Sequence, residues 1–120
     1  MIRAVLDTNV FVSGIFWSGT PSQILRHWID RKFELIVTAE IIEEYQEVLH
    51  RLSKKVKQID VTKFIQLLTV YSHLHEPIKL PLPISRDPDD DKFITAAIAG
   101  KANVIVSGDQ DYWCSKNTIP

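Results

Sequence analysis

The sequence predicts an α/β fold in three α/β/α layers, with helices on both faces of a mainly parallel sheet. Three observations predict it. Ile2, Ala4, Val5 and Leu6 form a near-continuous apolar run, the pattern of a parallel strand buried on both faces, and the run stops on Asp7. Val104-Ile105-Val106 repeats that pattern near the other end and leads through Ser107 and Gly108 to Asp109. Between these runs strand-like and helix-like segments alternate, which implies right-handed crossovers and a parallel sheet.

The 120 residues suit one domain, 1–120, with enough chain to bury a core without disulfides or a structural metal. The single cysteine, Cys114, excludes an intramolecular disulfide and a cysteine-rich zinc site, in keeping with a reducing compartment. No apolar stretch approaches a membrane span, and Asp7 cuts the first run too early for a signal peptide. The expected location is therefore cytoplasmic, with no membrane partner. A net charge of −1 gives no general attraction to nucleic acid, although Arg51, Lys54, Lys55 and Lys57 form a local basic cluster.

The elements follow in order. Asp7 ends the first strand, and Val10 to Phe16 is a short apolar segment closed by Trp17-Ser18-Gly19-Thr20-Pro21. Thr20 as N-cap with Pro21 at the first helical position starts a helix to about Arg31, with Ile24, Leu25, Trp28 and Ile29 as its apolar stripe. Phe33 to Val37 is the second strand, and Thr38 caps a helix over 39–52 that buries Ile41, Ile42, Tyr45, Val48, Leu49 and Leu52. Asp60 or Thr62 opens the next helix. His75 to Ser85 holds Pro77, Pro81 and Pro83 and reads as extended chain or a weak edge strand. Asp87-Pro88 is an N-cap followed by a first-turn proline, opening a helix that runs through Ile98 and stops near Gly100.

The acids are not equivalent. At about 100° per residue, Glu44 lies roughly 40° from Val48 at the edge of its helix's apolar arc, while Glu40, Glu43 and Glu47 fall further into solvent. Asp87, Asp89, Asp90 and Asp91 crowd one helix start, where acids complement the dipole and cap free N–H groups. Four in five positions exceed that need, and two carboxylates about 4 Å apart repel by about 4 kcal/mol at an effective dielectric of about 20 unless a cation offsets them. Asp91 borders the apolar Ile94 and Ile98, and Asp90 is a close alternative. Asp7 and Asp109 after parallel strands, Glu44 at a helix edge and Asp91 at a helix start suggest one crevice lined by oxygen ligands. Such ligands suit Mg²⁺ or Mn²⁺, and the chemistry that follows is phosphate-ester hydrolysis.

These residues resemble the PIN domain nucleases, especially the toxins of bacterial and archaeal toxin-antitoxin systems. Leu6-Asp7-Thr8-Asn9-Val10 is similar to the family's opening motif, and Glu44-Tyr45 with Val48-Leu49 is similar to its helix-borne glutamate. Asp87-Pro88-Asp89-Asp90-Asp91-Lys92-Phe93 resembles its third motif, and Ser107-Gly108-Asp109-Gln110-Asp111 its fourth. The resemblance implies a metal-dependent endoribonuclease acting as the toxin of a toxin-antitoxin pair, with RNA as substrate and a cognate antitoxin as partner. It implies catalytic and metal-binding roles for Asp7, Glu44, Asp91 and Asp109, with Asp91 preferred to Asp90 because the family's acid directly precedes the apolar run. Ser107 and Asn9 take supporting places, Asn9 also being a candidate cap for the helix that follows. Asp111 is either a further ligand or a turn residue.

The resemblance also implies a central first strand, a fourth beside it and a short fifth strand at the edge. Here the residues after Asp111 lack the family's leucine-rich turn, so the domain is expected to be short at its C-terminal end and to lack the usual last strand. That would leave 104–106 as an apolar edge open to a second chain, and a homodimer or higher oligomer is expected. An alternative from another class follows: a truncated, catalytically inactive interaction or dimerisation module. A receiver-type domain also places acids above a parallel sheet, but it needs a lysine ending a late strand, and Lys101 precedes one. His73 and His75 lack a third nitrogen or sulfur ligand, Trp28 belongs to a core stripe, and Trp17 is the better candidate for a surface contact.

Overall fold

In the computed structural model, residues 1–55, 61–76 and 91–107 are described together with the backbone of 113–114. Five strands form one sheet in the order β3-β2-β1-β4-β5. The first four, β1 (Arg3–Leu6), β2 (Glu34–Val37), β3 (Ser72–Leu74) and β4 (Val104–Val106), are parallel, and helices flank the sheet. The chain steps outward from β1 to β2 to β3, then returns to place β4 on the other side of β1. That reversal makes the carboxyl ends of β1 and β4 a topological switch point, where α/β sheets bind ligands. The register Leu6↔Val106 sets Asp7 and Ser107 side by side just beyond those ends, and Asp7 N–H donates to the Val106 carbonyl at 3.0 Å.

The expectation of a missing last strand is overturned. Trp113–Cys114 forms β5, which pairs antiparallel with β4 through Ile105↔Cys114 and Val106↔Trp113. Two residues carry no readable alternation, so the sequence held no signal for it. β4 thus has a neighbour on each side, and the ground for a dimer built on its open edge is lost.

The segment from Thr8 to Phe16 is helix α1, six of whose nine residues are buried. Its cap is Asp7, whose side chain accepts from Val10 N–H, and not Asn9, which is exposed within the first turn. Helix α2 (Thr20–Ile29) has Pro21 in its first turn as expected, but Gly19 takes the cap position at φ +126°, a conformation that a residue with a Cβ rarely adopts. It ends before Arg31, whose left-handed φ of 61° closes the turn as Lys32 N–H bonds the His27 carbonyl at 2.8 Å. Thr38 caps α3 (Ala39–Ser53) as expected, its hydroxyl oxygen accepting from Ile41 N–H. Helix α4 (Val61–Tyr71) is already helical at Val61, so Thr62 does not open it, and Asp60 lies outside the described residues. β3 follows α4 at once, before the proline stretch that was expected to hold the extended chain, and 77–85 lie outside the described residues. Helix α5 (Asp91–Ala99) stops at Gly100, whose N–H closes on the Ala96 carbonyl, while Asp87 and Pro88 at its expected start lie outside the described residues.

The core joins α1, α2 and α3 through aromatic rings. Phe11 stacks on Tyr45 with centroids 4.3 Å apart and meets Trp28 at 5.7 Å and 60°, and all three side chains are buried. Such pairs add about 0.5–1.5 kcal/mol each beyond their area burial. Trp28 is core as its stripe predicts, whereas Trp17 is 54% exposed.

Candidate active site

Asp7 is held from two sides. Its Oδ1 accepts from Val10 N–H at 2.8 Å, the cap bond of α1, and its Oδ2 accepts from the Ser107 hydroxyl at 2.8 Å. One carboxylate therefore ties the helix after β1 to the residue after β4, which fixes its orientation without covering it. Beneath it, the buried Tyr45 hydroxyl donates to the Leu6 carbonyl. Burial pushes the Tyr45 phenol well above its ordinary value, and the nearby Asp7 and Glu44 carboxylates push it further in the same direction. Tyr45 is thus a neutral donor that braces the end of β1.

Glu44 borders the buried face of α3, as its helical position predicts, and both its oxygens are engaged. Oε2 accepts from the Thr8 hydroxyl, and Oε1 lies 2.5 Å from the Lys92 ammonium in the first turn of α5. The Lys92 side chain is only 10% exposed, and its ammonium sits 5.4 Å from the Phe93 ring centroid. Asp7, Thr8, Asn9 and Glu44 line a cavity of about 340 Å³ together with Glu47, Arg51 and Lys92. The lining thus carries three acids, Asp7, Glu44 and Glu47, and two cations, Arg51 and Lys92.

Of the expected site residues, the structure therefore brings Asp7, Glu44, Asn9 and Ser107 to one place. Asp91 is the first residue of α5 and is half-buried, but it is not among the described residues that line the cavity; its neighbours Lys92 and Phe93 are. Asp109, Asp90 and Asp111 lie outside the described residues. Sequence reasoning missed Thr8 and Lys92. Thr8 stands next to Asp7 and could have been found as a hydroxyl at a strand end, whereas the pairing of Lys92 with a glutamate on another helix has no local signal. Glu47, which the helical arc puts in solvent, is exposed as expected, and it and Arg51 also border the cavity because they follow Glu44 by one and two helical turns.

The donor chemistry fits a hard cation in part. Asp7 and Glu44 offer carboxylate oxygens and Thr8 and Ser107 hydroxyls, and among the described residues that line the cavity there is no histidine or cysteine. Among the described residues no three of His, Cys, Asp and Glu gather as a metal site, and Asp7 and Glu44 are the two expected ligands that line the cavity.

A PIN domain family model matches residues 3–111 of the chain. An uncharacterized protein of Methanocaldococcus jannaschii is 31% identical over 115 residues, which cover 92% of this chain and 72% of that protein. No solved structure matches the chain.

Proposed function

The chain belongs to the PIN domain family, whose members are generally nucleases, and from that premise we propose a divalent-metal-dependent endoribonuclease that hydrolyses RNA phosphodiester bonds in the Asp7–Glu44 cavity. The observation that carries the reading is the pair of carboxylates on one cavity beyond the strand ends, each oriented by its own hydrogen-bond donors. Asp7 and Glu44 are proposed to hold the ion, Mg²⁺ or Mn²⁺, with Asp91 (or Asp90) and Asp109 completing the set and Asp111 as a further candidate. When bound, such an ion neutralises a phosphodiester and lowers the pKa of a coordinated water toward neutrality. The chain's own residues do the positioning. Ser107 and the first turn of α1 aim Asp7, Thr8 aims Glu44, and Arg51 in the cavity lining is proposed to meet a neighbouring phosphate.

RNA rather than DNA, the toxin role and a cognate antitoxin rest on the resemblance alone. No described helix is long and apolar enough to cross a membrane, and a cytoplasmic setting is proposed on that basis and on the lone cysteine. The inactive-module alternative drew on an absent last strand, and β5 removes that support.

The test is cleavage of an end-labelled RNA and of DNA of the same sequence, in Mn²⁺. The expected result is RNA cleavage that falls at least about 100-fold in Glu44→Gln, a loss of about 2.7 kcal/mol of transition-state stabilisation. Undiminished cleavage by Glu44→Gln would overturn the site, and equal cleavage of DNA would overturn the substrate. Growth arrest on expression, absent from the same variant, tests the toxin role.

A further inference from the structure

Lys92 is a charged group in this cavity whose place the proposed chemistry does not explain. Its ammonium lies on Glu44 Oε1 at 2.5 Å while Thr8 holds Oε2, so both oxygens of a proposed metal ligand are already engaged from within the chain. The side chain is 10% exposed, packed beside Phe93, and so is not a solvated surface lysine that happens to reach a carboxylate. A lysine buried to that degree needs a partner, and a carboxylate that shares a cavity with Asp7 is stabilised by a cation. Each therefore answers the other's charge.

A divalent cation taking Glu44 must meet that ammonium at the same oxygen. Two positive centres at one carboxylate oxygen repel, so the ion and the ammonium compete for it. We propose that Lys92 is a built-in counter-ion of Glu44 that competes with the divalent cation: it lowers the cavity's affinity for metal and keeps α3 and α5 joined when no ion is bound. This rests on the reading of the cavity as a metal centre. Lys92 is on this account a positioning residue, acting through Glu44.

The experiment is calorimetric titration of Mn²⁺ into the full chain as wild type, Lys92→Met, Lys92→Gln and Lys92→Arg, with thermal unfolding in EDTA and in saturating Mn²⁺. The neutral variants are expected to bind Mn²⁺ at least about tenfold more tightly than wild type, within the usual range of coupling between two ligands. Lys92→Arg, which keeps the charge, stays within about threefold of wild type. In EDTA, Lys92→Met unfolds at a lower temperature than wild type, and Mn²⁺ raises its midpoint by more than it raises that of wild type. Lys92→Gln, whose amide can still donate to Glu44, carries the test if the methionine variant fails to fold. Binding by wild type that is equal or tighter than that of the folded neutral variants overturns the role of Lys92 and leaves the metal reading standing. Absence of binding in every folded protein overturns the metal reading, and the competition with it.

Discussion

Replacing Asp7 by alanine and by asparagine separates what this residue does for stability from what it is proposed to do for chemistry. Alanine removes the α1 cap on Val10 N–H, worth about 1 kcal/mol, and the acceptor of the half-buried Ser107 hydroxyl, worth about another 1 kcal/mol. At about 2.1 cal/mol/K per residue the unfolding entropy of 120 residues is about 250 cal/mol/K, so each kcal/mol moves the midpoint by about 4 °C. Asp7→Ala should therefore melt about 8 °C below wild type. Asparagine caps a helix as well as aspartate does, and its amide can donate to Ser107, so Asp7→Asn should stay within about 2 °C of wild type. Both should lose activity alike. The assay is thermal unfolding by circular dichroism, with EDTA present to remove any contribution from bound ions. An unshifted Asp7→Ala, or an Asp7→Asn that falls as far as the alanine variant, would refute the two-sided anchoring of this carboxylate.

Tyr45→Phe strips the donor from the buried Leu6 carbonyl and should cost about 1–2 kcal/mol, or about 4–8 °C. The raised Tyr45 pKa also gives a pH signature: above about pH 10 the unfolded chain loses the phenolic proton while the native protein keeps it. The native state then binds more protons, so this stability is complete below about pH 10 and declines above it by up to about 1.4 kcal/mol per pH unit; urea unfolding should show a shallower decline in Tyr45→Phe. Gly14→Ala puts a Cβ within 2.6 Å of both Leu25 Cγ and the Pro21 carbonyl oxygen, so α1 and α2 must part. A loss of about 1–3 kcal/mol is expected in thermal unfolding, and an unchanged midpoint would show that the two helices have room to give.

The fold was legible where burial writes itself into pattern. Apolar runs located β1, β2 and β4, Thr38 announced α3, and the stripe of Trp28 marked a buried face. β5 and β3 were illegible or misplaced because two or three residues hold no periodicity, and β3 follows α4 without a turn signal. At the site, Asp7 and Glu44 could be read because one ends a strand and the other edges a helix. The cap role of Asp7, given in part to Asn9 from sequence, turns on which side chain reaches Val10 N–H, a matter of two residues of register. The partners of Glu44 could not be read at all: Thr8 and Lys92 stand on α1 and α5, and only the packing of three helices brings them to one carboxylate.

Whether Asp7 and Glu44 hold a divalent ion is decided by Mn²⁺ calorimetry on wild type and Asp7→Asn, since the asparagine variant is expected to keep its fold. Saturable binding by wild type and a loss of at least about tenfold in affinity in Asp7→Asn are expected. Equal binding by the two proteins, or no binding by wild type, would contradict that expectation.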